Sequence, residues 1–212
     1  MKDASKKTAE VYDKISRIYA DTFGEPSFCI DYFIKYLIPG GNILDVGCGP
    51  GRDANYFKQK GFEIEGVDLS EKMIELAQKN YPDIKFSVAD MRRLDYPAEN
   101  FDGIFFSFSL IHLPKADVPS VITKVYKILK KGGIIFTAIQ EGRSEEIYLP
   151  EPFKPTENIF LNIMSRQELK KLLKSAGFDI LRFFGRKPRS GKGELEFIKY
   201  VLIAKKLSSS AP

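Results

Sequence analysis

The stretch Leu44-Asp45-Val46-Gly47-Cys48-Gly49-Pro50-Gly51 places three glycines at alternate positions just after an acidic residue. Glycine accepts left-handed backbone and lets main-chain N–H groups close on a ligand. A helix opening behind such a turn points free N–H groups at negative charge. The glycine spacing alone is common, and its neighbours give it meaning. The apolar run 42–47 reads as a strand before it and 52–60 as a helix after it. Asp68 then ends the next apolar run, nineteen residues past Gly49. A carboxylate there can accept both hydroxyls of a ribose. These residues together could grip an adenosine-containing cofactor.

The elements that must position them follow from hydrophobic period. Residues 62–67, 84–89, 101–106 and 134–139 read as further strands, the run 101–106 being apolar enough for burial on both faces. Residues 70–79 form a helical pattern with Ser70 as N-cap. In 117–130 the apolar residues Val118, Val121, Ile122, Val125, Ile128 and Leu129 share one helical face, with Gly132 and Gly133 as the predicted cap. Ser165 and Glu168 form a capping-box pair opening a helix that ends at Gly177. Two last strands, 179–184 and 194–204, are joined by too short a turn for a crossover helix and must pair antiparallel. The expected fold class is α/β: Rossmann-like and doubly wound, a mostly parallel seven-stranded sheet with an antiparallel last strand and helices on both faces. The division expected is a helical lid over 1–40, the Rossmann-like domain over 41–207 with a substrate-side insertion at 141–164, and a flexible tail at 208–212. The insertion reads as a long connection rich in Pro and aromatics.

From about 43 to 136 these residues resemble class I S-adenosylmethionine-dependent methyltransferases, specifically the small-molecule, ubiquinone/menaquinone-methyltransferase-like group. Five segments carry the resemblance in order: 44–51, Gly66-Val67-Asp68-Leu69-Ser70 leading to Met73, Ala89-Asp90-Met91, 101–113, and Leu129-Lys130-Lys131-Gly132-Gly133. The resemblance implies S-adenosyl-L-methionine as cofactor and roles for named residues. Gly47, Cys48, Gly49 and Gly51 would hold the methionine part, with Asp45 supporting the loop and the ammonium group. Asp68 would bind the ribose hydroxyls. Asp90 would accept from the adenine amino group, with Leu69 and Met91 packing on the ring. Phe106 and Ser107 would lie beside the methionyl chain. A nicotinamide dehydrogenase shares the glycine loop and ribose acid, and a non-catalytic cofactor-binding partner protein is the reading from another class.

Methyl transfer from a sulfonium is an in-line displacement whose leaving group departs neutral, so positioning and water exclusion dominate. His112, the one histidine, is the candidate general base in Phe108-Ser109-Leu110-Ile111-His112-Leu113, with a purely structural role as the alternative. Tyr12 and Tyr19, in a helical pattern near the start, read as lid residues over the sulfonium. From 165 to 212 twelve Lys/Arg face four Asp/Glu. The turn Arg186-Lys187-Pro188-Arg189-Ser190-Gly191-Lys192 falls at the same sheet edge as the glycine loop, which suggests an anionic acceptor. A small-molecule acceptor is expected, with tRNA or rRNA as the alternative, and oligomeric state is left open. Two cysteines and one histidine give no metal-ligand spacing, so no metal is expected. No apolar run is long enough to span a bilayer and no signal-peptide pattern opens the chain, so the expected location is cytoplasmic.

Overall fold

The computed structural model describes residues 3–189 and 193–207; the expected tail at 208–212 lies outside them. Among the described residues the strands are β1 (Asn42–Val46), β2 (Glu63–Asp68), β3 (Lys85–Val88), β4 (Phe101–Ser107), β5 (Leu129–Glu141), β6 (Glu145–Glu151), β7 (Lys154–Ile163), β8 (Phe178–Arg186) and β9 (Ile198–Lys206). The helices are α1 (Ala4–Thr22), α2 (Ile30–Ile34), α3 (Arg52–Gln59), α4 (Glu71–Asn80), α5 (Val118–Ile128) and α6 (Arg166–Ser175). Seven strands make one sheet in the order β3-β2-β1-β4-β5-β9-β8. Pairing is parallel through β5, and β9 runs antiparallel to both β5 and β8. The reversed last strand is as expected. It lies between β5 and β8. The parallel strands run outward from β1 to β3 on one side and from β4 to β5 on the other, so the strand order changes direction at the β1/β4 crevice, where such sheets bind ligands.

Alternation along the buried strands builds two cores. On β4, Phe105 faces α2 and α3 with Phe33, Phe57 and Phe136, while Ile104 and Phe106 face α5. Phe105 and Phe136 stack with ring centroids 4.3 Å apart. Val118, Val121, Ile122 and Val125 bury the predicted stripe of α5. The helix stops at Ile128, because Leu129 already pairs with Phe101 in the sheet. Gly132 is left-handed, with φ +75°, but it kinks the entry into β5 rather than capping α5.

Residues 141–164 are not an irregular connection. They contain a hairpin of β6 and β7, with Ile147 opposite Leu161 and Leu149 opposite Ile159. Pro150 and Pro155 obscured the period-two pattern that makes these strands. Strand β7 packs under α1: the Phe160 N–H donates to Thr8 Oγ1 at 3.0 Å, and Lys14 pairs with Glu157. At α6 only half of the capping box forms. Ser165 Oγ accepts the Glu168 N–H, but the Glu168 carboxylate turns away to Ser144 and Lys115.

Candidate active site

The carboxyl ends of β1, β2, β3 and β4 open into a cleft of about 100 Å3. Its floor is the turn after β1. Gly47, Gly49 and Gly51 are all left-handed, at φ +79°, +54° and +85°. The N–H groups of Gly47 and Cys48 both donate to Val67 O, which fastens the turn to β2. A side chain at Gly47 would also be crowded out, since its Cβ would fall 2.2 Å from Ser109 Cβ. Glycine is therefore required at this position twice over.

Asp68, at the tip of β2, accepts the Gly49 N–H on Oδ2 at 2.8 Å and the Ser70 N–H on Oδ1 at 2.9 Å. Each oxygen keeps a lone pair for the cleft it lines. Burial raises its pKa despite those bonds. Asp45 lies behind the turn, 1% exposed, and its Oδ2 has no partner among the described residues. Burial, followed by the nearby charges of Asp53 and Asp68, pushes it well above the carboxylate range. A cationic group lodged over the turn would relieve that orphaned oxygen. Asp90 follows β3 and caps the 3-10 turn Met91–Arg93. Burial pushes Asp90 up, but its hydrogen bonds and charge pairing with Arg92 outweigh this and hold it below the usual range. Arg92 also pairs with Asp3 and Asp117, tying the start of α1 to α5.

The cleft gathers Tyr19, Gly47, Gly49, Asp68, Leu69, Met73, Asp90, Met91, Ser107 and His112 of the residues expected there. Asp45 and Gly51 stand behind it, Gly51 packed on the Phe86 ring. Cys48 and Phe106 do not reach it. Cys48 is buried beside Phe86 and Ala77, and Phe106 is fully buried in the α5 core. The reason is strand alternation: Ser107 takes the ligand side, so its neighbour takes the opposite one. Phe108, with φ +58°, turns back to line the cleft in its place. Ser107 is held by a relay that the sequence did not signal. Its hydroxyl lies 2.6 Å from Ser27 Oγ, which with its own N–H donates to the buried Asp53.

A second cavity of about 420 Å3 meets the first at Tyr12, Tyr19, Phe108 and His112. His112 sits in the 3-10 turn Leu110–His112. Phe160 O, 3.0 Å away, can only accept, so Nδ1 carries the proton and the Tyr12 hydroxyl donates to Nε2 at 3.1 Å. Burial lowers the His112 pKa to about 4, leaving a neutral ring at pH 7. Helix α1 is fixed over this neck at several points. Ser5 Oγ donates to His112 O, and Asp13 accepts from Ser70 Oγ and Lys72 N–H at the start of α4.

The outer wall of the second cavity includes Arg52, Arg186, Arg189 and Lys199 against Glu25, Glu151 and Glu194. The basic turn thus reaches the cavity as expected through Arg186 and Arg189, while Ser190, Gly191 and Lys192 lie outside the described residues. Arg186 is engaged by a two-pronged pair with Glu194 at 2.9 and 2.7 Å, which holds Glu194 down to about 2. Lys199 and Glu151, both buried, line this cavity and were missed by the sequence reading. A lone lysine in the apolar run 198–204 was the available signal.

A doubly wound sheet with a glycine turn and strand-tip acids at its switch point defines a Rossmann-like nucleotide-binding domain. Residues 43–133 match the family described as a methyltransferase domain. Over 156 residues the chain is 30% identical to phosphoethanolamine N-methyltransferase 3 of Arabidopsis thaliana, a match covering 68% of this chain and 30% of that one. The chain spans less than a third of the length of such plant relatives. An S-adenosylmethionine-dependent methyltransferase structure from Methanosarcina mazei superposes with a TM-score of 0.76 at 21% identity, covering 86% of this chain and 99% of the other. The 1,6-didemethyltoxoflavin-N1-methyltransferase of Burkholderia thailandensis, solved with its acceptor and S-adenosylhomocysteine, gives 0.73 at 20% identity over 95% of this chain and 88% of its own. The family match over 43–133 and the shared fold support a class I S-adenosylmethionine-dependent methyltransferase domain. These matches spread over unlike acceptors and single out no ubiquinone/menaquinone subgroup. Among the described residues no helix is long and apolar enough to cross a membrane.

Proposed function

We propose that this chain binds S-adenosylmethionine in the β1–β4 cleft and methylates a small acceptor, carrying an anionic group, held in the adjoining cavity. The observation that carries the reading is the cleft itself. A glycine turn and two strand-tip carboxylates line it, suited to the sugar and base that such a donor presents, with the orphaned Asp45 oxygen buried behind the turn. When bound, the donor supplies an electrophilic methyl carbon beside a sulfonium. Asp68 takes the ribose hydroxyls, Asp90 the adenine edge, and Leu69, Met73 and Met91 the apolar face of the base. Ser107 and the glycine turn flank the methionyl part.

The neck residues Tyr12, Tyr19, Phe108 and His112 orient the acceptor and exclude water. For an acceptor that arrives protonated, the Tyr12 hydroxyl passes its proton to His112 Nε2 as it takes one from the acceptor. The ring, with Nδ1–H held on Phe160 O, offers Nε2 to that proton against the burial that lowers its pKa to about 4. The matched plant enzyme is named for a small phosphate-bearing acceptor and the Burkholderia enzyme for a small heterocycle, which supports a small molecule over RNA. Both cysteines are free thiols, in keeping with a cytoplasmic setting.

Calorimetry with S-adenosylhomocysteine and with NAD, followed by an acceptor screen reading S-adenosylhomocysteine release, tests this. Binding of NAD alone would overturn the cofactor, and release only with RNA would overturn the acceptor class.

A further inference from the structure

Gln140 on β5, Lys199 on β9 and Arg186 on β8 are direct cross-strand partners, forming one polar row across three neighbouring strands at the mouth of the second cavity. The two cations in that row are treated differently. Arg186 has its charge answered by Glu194. Lys199 is 3% exposed and has no carboxylate within 4.0 Å among the described residues. Its ammonium donates only to neutral oxygens, Gln140 Oε1 at 2.8 Å and Leu195 O at 2.5 Å. An ammonium has three protons, so one remains, and Gln140, Leu195 and Lys199 all belong to the cavity wall. Burying a cation without a counter-charge is costly, and the residues that follow it on β9, Tyr200 to Ala204, are buried.

We propose that Lys199, held by Gln140 and supplemented by the exposed Arg189, is an anion-binding subsite that receives the phosphate or carboxylate of the acceptor. The inference rests on the second cavity being the acceptor site and names the group that selects the acceptor there. Two of the carboxylates of that cavity are engaged elsewhere, and Glu25 makes no ion pair with the ammonium among the described residues. Glu194 is committed to Arg186 and to the Arg189 N–H, and Glu151 accepts the N–H groups of Phe153 and Lys154. Burial lowers the Lys199 pKa to about 8, with Arg186 lowering it and Glu194 and Glu196 raising it, so the group is still mainly a cation at pH 7. Arg52 lies farther round the same wall, engaged by Phe23 O.

The test uses the full chain saturated with S-adenosylhomocysteine and titrated with inorganic phosphate and, separately, with malonate. Lys199→Met should weaken binding of the preferred anion by about tenfold or more, Lys199→Arg should retain most of it, and S-adenosylhomocysteine affinity should stay the same in all three proteins. Preference for phosphate or for malonate tells which anion the acceptor carries. If Lys199→Met is too unstable to measure, the Lys199 Cε resonance of the wild-type chain decides. Its titration midpoint should rise when the anion is added, with Arg186, Glu194, Glu196 and Gln140 as its constant surroundings. Equal anion affinity in wild type and Lys199→Met, no anion binding to wild type, or an unmoved midpoint overturns the subsite. Failure of wild type to bind S-adenosylhomocysteine would instead sink the cofactor reading.

Discussion

Replacing His112 by Asn isolates the cost of keeping an imidazole uncharged at the neck between the two cavities. Burial sets the ring near 4 in the folded protein, against an ordinary value of 6.5. Below pH 6.5 the unfolded chain takes up a proton at this position that the folded chain refuses. Stability is therefore complete above the unfolded value, falls as the solution is acidified, and levels off once the folded value is passed. The whole gap corresponds to about 3 kcal/mol, of which about 2 kcal/mol is lost by about pH 5. Asn does not titrate, and its amide can still donate to Phe160 O, so the packing contact is largely kept. Urea denaturation of both proteins at about pH 7 and about pH 5 gives the comparison. Acid effects from Asp3, Asp90 and Glu194 are common to both and cancel. The wild type should lose about 2 kcal/mol more than His112→Asn. Equal losses would mean that the ring is not held neutral, and the proton-accepting role assigned to Nε2 would go with it.

Asp68→Ala removes the acceptor of two backbone N–H groups and of the proposed ribose hydroxyls. S-adenosylhomocysteine affinity should fall by about 10- to 100-fold in calorimetry, and an unchanged affinity would take Asp68 out of the cofactor site. Gly47→Ala forces a β carbon into left-handed backbone and onto Ser109, so urea unfolding should show a loss of about 2–4 kcal/mol. Adding Ser109→Gly should recover part of that loss, because it relieves the clash but leaves the strain; no recovery would show that the clash is not what costs stability. Tyr12→Phe should lower kcat by about 100-fold while leaving S-adenosylhomocysteine affinity within about twofold. A normal rate in that variant would confine the Tyr12–His112 contact to packing.

Local signals were enough wherever the chemistry is consecutive in the chain. The glycine turn, its flanking strand and helix, and Asp68 were legible because left-handed backbone, hydrophobic period and strand-end placement all act within a few residues. The short connection read at 185–193 likewise dictated the antiparallel last pair. Two readings went astray where local cues competed. Gly132 looks like a helix cap, but sheet pairing by Leu129 ended α5 first. The prolines at 150 and 155 hid a hairpin whose register is fixed by its partner strand rather than by its own propensity.

By itself the sequence determined the class of fold, the glycine turn and the strand tips that carry the acids, because each follows from the conformational needs of adjacent residues. Tertiary structure alone decided which face each side chain took, sending Phe106 into the core and Ser107 into the cleft. It also decided the pairing of Tyr12 on α1 with His112 and the row in which Lys199 is buried with no ion-pair partner among the described residues. Those outcomes depend on contacts between residues far apart in the chain, and on the loss of water that only packing produces.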